Sequence, residues 1–178
     1  MDRGYIYLNK NNYLHNIEVL KNLSRKELCL VVKANAYGHG LEWAVKNAKE
    51  SGVKWFAVAS VGEGIQVKTV YGESRVLLLA EPSKNQLENV KVNDIDLTVY
   101  NESFIDTLIE TGDKYSVHLK IDTGMHRLGC PPEKFYDLYK KIVDSNLNLV
   151  GICTHFPLAD TDETETKKSI ELFEKTIS

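Results

Sequence analysis

Only three cysteines and four prolines occur in the 178 residues, and no apolar stretch is long. Cys29, Cys130 and Cys153 are odd in number and widely spaced, and none forms a CxxC pair. That excludes the ligand spacing of a zinc site and the dithiol motif of a redox protein. The few prolines, with 11 glycines, argue against low-complexity disorder. No apolar run approaches the ~18 residues that a membrane span needs. An excess of either charge is missing too. Twenty-two Lys and Arg stand against 25 Asp and Glu for a net charge of −3, which gives no electrostatic footprint for nucleic acid or an anionic membrane surface. The start, Met1-Asp2-Arg3-Gly4-Tyr5, lacks the basic-then-apolar order of a signal peptide. The expectation is a globular cytoplasmic chain with one sizeable core and no metal, nucleic-acid or membrane partner. Cys29 and Cys153 lie inside apolar runs, where a free Cys packs as a small hydrophobe.

What the chain does contain is alternation. Short β-branched apolar runs recur at Leu28 to Val32, Trp55 to Ala59, Val76 to Ala80, Asp96 to Tyr100, Val117 to Ile121 and Val150 to Thr154. Between them lie amphipathic stretches at Tyr13 to Leu23, Leu41 to Ser51, Val61 to Tyr71, Ser103 to Thr111 and Glu133 to Ser145. In the first of these, Leu14, Ile17, Leu20 and Leu23 recur at spacing three and share one helix face. Strands alternating with helices read as βαβ units on a parallel sheet. About six such units in a row predict an α/β fold, an incomplete (β/α)8 TIM-type barrel, since a complete barrel has eight units and typically ~250 residues. The chain ends inside a charged helical stretch, Glu163 to Lys175, and is expected to be a fragment. Tyr5 to Leu8 reads as a short strand belonging to another part of the molecule.

Three strand ends carry polar side chains suited to chemistry. In Val31-Val32-Lys33-Ala34-Asn35-Ala36-Tyr37-Gly38-His39-Gly40 a lysine closes an apolar strand and enters a loop of small residues. In a barrel, such ends face the active site. A desolvated Lys there has a lowered pKa and an amine available for Schiff-base chemistry. Position alone also fits a strand-end Lys that reaches out to solvent. Lys120 and Asp122 end another strand, with Arg127 just beyond, where a guanidinium fork can grip a carboxylate or cofactor. A solvated loop with an ordinary ion pair fits that segment equally. His155 follows a third strand, as a ligand contact or as a hydrogen-bonded core residue.

Together the motifs resemble those of one family. Lys33-Ala-Asn-Ala-Tyr-Gly-His-Gly40 resembles the pyridoxal-phosphate attachment motif of bacterial alanine racemases. Lys120-Ile-Asp-Thr-Gly-Met-His-Arg-Leu-Gly129 is similar to the family's second signature, and Thr154-His155-Phe156 with Ala159-Asp160 to a third. The likeness runs in order along essentially the whole chain. It implies interconversion of L- and D-alanine with pyridoxal 5'-phosphate, supplying D-alanine for cell-wall peptidoglycan, by a homodimer. Lys33 then matches the lysine that bonds the cofactor and serves as one catalytic base. Tyr37 matches the tyrosine at the cofactor phosphate, and His155 the histidine packed beneath the pyridine ring. Arg127 matches the arginine near the phenolic oxygen and the substrate carboxylate. Leu79 stands where the family places an apolar cofactor contact, and Lys120 matches a lysine that is carbamylated in some members and orients the arginine.

The resemblance also implies what residues 1–178 lack. They correspond to the N-terminal part of the cofactor-binding barrel. The remaining barrel, with its phosphate loop and the arginine facing the pyridine nitrogen, lies further along the family's chains. So does the β-rich domain whose tyrosine is the second base, and the fragment alone is expected to be inactive. His126 stands where many members carry a smaller or amide residue, which leaves alanine and serine both open as substrates. Pro157 stiffens a loop that is more usually Phe-Ala. Two alternatives share the barrel and the strand-end lysine: a single-domain, non-catalytic pyridoxal-phosphate carrier, and a decarboxylase. The Asp122 to Gly129 motif and the long Ala34 to Gly40 loop speak against both.

Overall fold

The computed structural model describes residues 4–178. Met1–Arg3, the first part of the segment read for a signal-peptide pattern, lie outside the described residues. The chain forms two compact units, residues 1–95 and 96–178.

The first unit begins with helix α1 (Lys10–Ser24), whose Asn9 side chain accepts a hydrogen bond from the Asn12 N–H. Strand β1 (Cys29–Val31), the turn α2 (Lys33–Tyr37) and helix α3 (Leu41–Glu50) come next. Then come β2 (Trp55–Val58), α4 (Val61–Val70) and β3 (Arg75–Leu78), with α5 (Leu87–Val92) behind a short 3₁₀ turn. The three strands pair in parallel, with Leu30 opposite Phe56 and Phe56 opposite Val76. Parallel strands are covered on both faces, so near-continuous apolar runs suit them. Phe56, Val58, Val76 and Leu78 are buried along β2 and β3, and Val45 and Ala48 are fully buried on α3. Helix α4 approaches closely because position 64 has no side chain: a Cβ there would lie 2.8 Å from Ile95 Cδ1.

The second unit holds nearly all of β4 (Ile95–Val99), then α6 (Glu102–Glu110), β5 (Ser116–Lys120), α7 (Phe135–Val143), β6 (Asn148–Cys153) and α8 (Glu163–Ile177). Its strands are also parallel, with Thr98 opposite His118 and Lys120 opposite Cys153. Leu97, Val99, Ile105, Leu108, Val117, Leu119 and Ile142 form its core. Asn101 and Asp162 cap α6 and α8 by accepting from the N–H groups of Phe104 and Glu165, the usual role of these short polar side chains.

Some expectations need correction. Tyr5 to Leu8 is not a strand; it is irregular, and Tyr5 and Tyr7 are almost fully exposed. Its alternating aromatic and apolar residues favour a strand only where a partner strand supplies the hydrogen bonds. The face of α1 forms as expected, yet only Ile17 is buried, and Leu20 and Leu23 face solvent. Helix α1 is held instead by contacts to α3: the Tyr13 hydroxyl donates to the Ala44 carbonyl at 3.2 Å, and the Tyr13 and Trp43 rings stand 5.0 Å apart. Helix α5 is an element beyond those read from the sequence.

Candidate active site

Val32 continues the sheet beyond β1, its N–H donating to the Ala57 carbonyl at 2.9 Å. Lys33 therefore follows the C-terminal end of β1, a strand with half-buried Cys29 and Leu30 and an exposed Val31, directly after the buried Val32. It is half-buried, with Nζ 5.9 Å from the centre of the Tyr37 ring. The chain then enters a left-handed helical turn in which Ala34, Asn35, Ala36 and Tyr37 all have φ between 51° and 55°. Its bonds run from the Gly38 N–H to the Ala34 carbonyl (3.1 Å) and from the Gly40 N–H to the Asn35 carbonyl (2.9 Å). Left-handed backbone costs L-residues roughly 1–2 kcal/mol each, and such strain persists only where surrounding groups over-determine it. Here they do. The Asn35 side chain accepts from the Leu41 N–H at 2.8 Å, which ties the turn to the start of α3. The Glu63 carboxylate accepts from the Ala34 N–H at 2.6 Å. At Gly38 an added Cβ would meet nothing within 4 Å, so the space beside the turn is open. Leu79, half-buried, comes directly after β3 with its N–H on the Val58 carbonyl.

In the second unit the chain after β5 doubles back on itself. The Cys130 N–H donates to the Lys120 carbonyl at 2.8 Å, and the Asp122 N–H to the Cys130 carbonyl at 2.9 Å. Only glycine fits at 129, where φ is 139° and a Cβ would stand 2.6 Å from the Asp122 nitrogen. Inside this clip Asp122 accepts from the N–H groups of Gly124 and His126, both at 3.0 Å, with the His126 ring 3.5 Å away. Burial works to raise the Asp122 pKa, but the His126, Gly124 and Met125 N–H groups and the His126 ring outweigh it and hold the carboxyl below its ordinary value. Arg127 is exposed on the clip. The Thr123 and Thr154 hydroxyls meet at 2.7 Å, and Thr154 also donates to the Ile121 carbonyl. The loops after β5 and β6 are thereby joined, so Lys120, Arg127 and His155 share one end of this unit. His155 is exposed and Lys120 half-buried.

Each of the six residues singled out from sequence thus lies at or just beyond the C-terminal end of a parallel strand, within its own unit. Two features escape the sequence motifs: the left-handed hand of the Lys33 turn, and Glu63. A signal for Glu63 is present in Ser60-Val61-Gly62-Glu63, the S-x-x-E pattern of a capping box. Among the described residues, no cluster of His, Cys, Asp or Glu is arranged to hold a metal ion, and no helix is long and apolar enough to cross a membrane.

Parallel strands alternating with helices, with lysine, arginine and histidine after the strand ends, define the class as an α/β barrel protein. Residues 8–178 match the model of the alanine racemase N-terminal domain, and the chain belongs to that family. It is 38% identical to an alanine racemase of Treponema denticola, over 94% of this chain and 47% of that protein. An amino-acid racemase of Enterococcus faecalis is 34% identical over 99% of this chain and 26% of its own length. Among solved structures, an alanine racemase of Clostridium difficile 630 superposes with a TM-score of 0.85 at 30% identity, covering 94% of this chain and 49% of that one. The fold is therefore a partial α/β barrel, as expected. The chain spans about half the length of the Treponema and Clostridium relatives.

Proposed function

We propose that this chain supplies the cofactor-binding part of a pyridoxal-phosphate-dependent amino-acid racemase that interconverts L- and D-alanine, acting as a cytoplasmic homodimer and feeding D-alanine to cell-wall peptidoglycan. The observation that carries the reading is the placement of Lys33, a half-buried primary amine where β1 ends and a braced left-handed turn begins. The residues suit the cofactor in kind. A primary amine answers its aldehyde, and the open space at Gly38 beside the exposed Tyr37 leaves room for its phosphate. When bound, pyridoxal phosphate supplies the electron sink that acidifies the substrate Cα–H.

The chain's own residues then divide the work. Lys33 holds the cofactor and, as a neutral amine, takes the Cα proton on Nζ from one face of the substrate. Tyr37 offers its hydroxyl to the phosphate. His155 would pack against the cofactor ring, and Leu79 would give it an apolar contact, as the family resemblance implies. Arg127, a planar fork of five donors, receives the substrate carboxylate, and Lys120, which matches a lysine carbamylated in some members of the family, orients that fork.

The test is covalent. Pyridoxal phosphate is added to the full-length protein, borohydride fixes the bond, and peptide mapping finds the label. The label is expected on Lys33. A label on Lys120 instead overturns the assignment.

A further inference from the structure

We infer that Glu63 is a positioning residue for Lys33, a role that rests on the reading of Lys33 as the cofactor-bonding amine. Its carboxylate collects three backbone donors from two strand ends. Oε1 accepts from the Ala34 N–H at 2.6 Å, while Oε2 accepts from Ala59 at 3.0 Å and Ser60 at 3.3 Å. Its own N–H receives support from Ser60 Oγ at 3.2 Å. A capping box explains only part of this, the exchange between Ser60 and Glu63 at the start of α4. Helix capping does not require the bond to Ala34, 29 residues earlier in the chain.

That extra bond has a particular target. The Ala34 N–H belongs to the peptide that joins Lys33 to Ala34, so the carboxylate fixes the plane of that peptide. It thereby fixes the backbone from which the Lys33 side chain departs. It also grips the first residue of the left-handed turn, where strain is stored. Only an ionised carboxylate presents two acceptor oxygens and no donor, and bonds to it are stronger than neutral ones. Glutamine can satisfy one side only, because its amide nitrogen then faces a backbone N–H. Aspartate keeps the charge at the third helical position and can still cap α4, but it is one methylene too short to reach Ala34 as well.

Glu63→Asp in the full-length protein separates the two roles. If Glu63 positions Lys33, melting temperature changes little, while hydrogen exchange of the Ala34 amide and the half-time of pyridoxal-phosphate labelling at Lys33 each rise about tenfold, the scale of one lost charge-assisted hydrogen bond. Glu63→Gln should show the same losses without rescue. Wild-type exchange and labelling in Glu63→Asp overturn the inference. Should that variant fail to fold, the unaltered protein decides. Its Ala34 amide proton should lie downfield of the rest of the turn and move as Glu63 is protonated, and an amide indifferent to that titration overturns the role. Failure of the cofactor reading looks different: the wild-type label falls elsewhere than Lys33, and Ala34 exchange in Glu63→Asp still decides whether Glu63 holds the turn.

Discussion

The imidazole of His118 lies against the bare backbone of Gly151, so closely that a Cβ at position 151 would stand 2.8 Å from Cε1 and closer still to Nδ1. The two residues face each other in register on β5 and β6. The ring cannot swing clear, because it is 3% exposed and its Nε2 lies 3.4 Å from Asp96 Oδ2. Gly151→Ala must push the ring off Asp96 or part the strands. Overpacking of this kind costs about 1–3 kcal/mol, roughly 2–4 °C of melting temperature per kcal/mol for a chain of this size. Thermal denaturation checks it, and an unchanged midpoint would show that the ring has another place to go.

Arg127 should matter for turnover and hardly for the fold. It is exposed on the clip after β5, so truncating it leaves no cavity to destabilise the core. In the full-length protein Arg127→Ala is expected to cut turnover at least about tenfold, or ~1.4 kcal/mol of transition-state stabilisation. Melting temperature should hold. A large fall in melting temperature with unchanged specific activity would reverse the assignment.

Sequence patterns reveal some features here and conceal others for physical reasons. The strand ends bearing Lys33, Lys120 and His155 are legible because each follows a largely apolar, β-branched run, and a polar residue marks where that run stops. The left-handed turn is not legible. Of Ala34, Asn35, Ala36 and Tyr37 only Asn35 has a local tolerance of positive φ, too little to signal four such residues in a row, and the Glu63 carboxylate that braces their conformation comes from a distant element. The close approach of Gly129 to Asp122 is concealed similarly, since a glycine in a loop looks the same whether it turns the chain or admits a neighbour. Tyr5 to Leu8 shows the opposite failure, a local strand pattern without a partner. Helix α5 is six residues long, too short for a helical period to stand out.

Cys130 and Cys153 should behave as inert thiols. Burial pushes both pKa values up to about 11. The thiolate is the nucleophile, and at pH 8 a thiol of that pKa is ionised roughly two hundredfold less than an ordinary one. Iodoacetamide at pH 8 should therefore modify both slowly in the folded protein and readily in denaturant. Fast labelling of either in the native state would show that its surroundings open.

Asp122 ties the stability of the clip to pH, and its hydrogen bonds set the sign. Its carboxyl is held below the ordinary value despite its burial, because the His126, Gly124 and Met125 N–H groups and the His126 ring favour the charged form. The unfolded chain, with the ordinary value, takes up its proton first as pH falls. The contribution is therefore complete above about pH 4, the unfolded carboxyl range, and is lost as pH drops through the lower folded value. Asp122→Asn keeps an acceptor oxygen for the Gly124 and His126 N–H groups and removes the charge. The variant should be less stable than wild type at about pH 5, with the gap narrowing toward about pH 3 as the wild-type carboxylate is protonated. Denaturant unfolding of both proteins at the two pH values measures the gap. A gap that is constant, or that widens in acid, would mean that the Asp122 charge does not hold the clip.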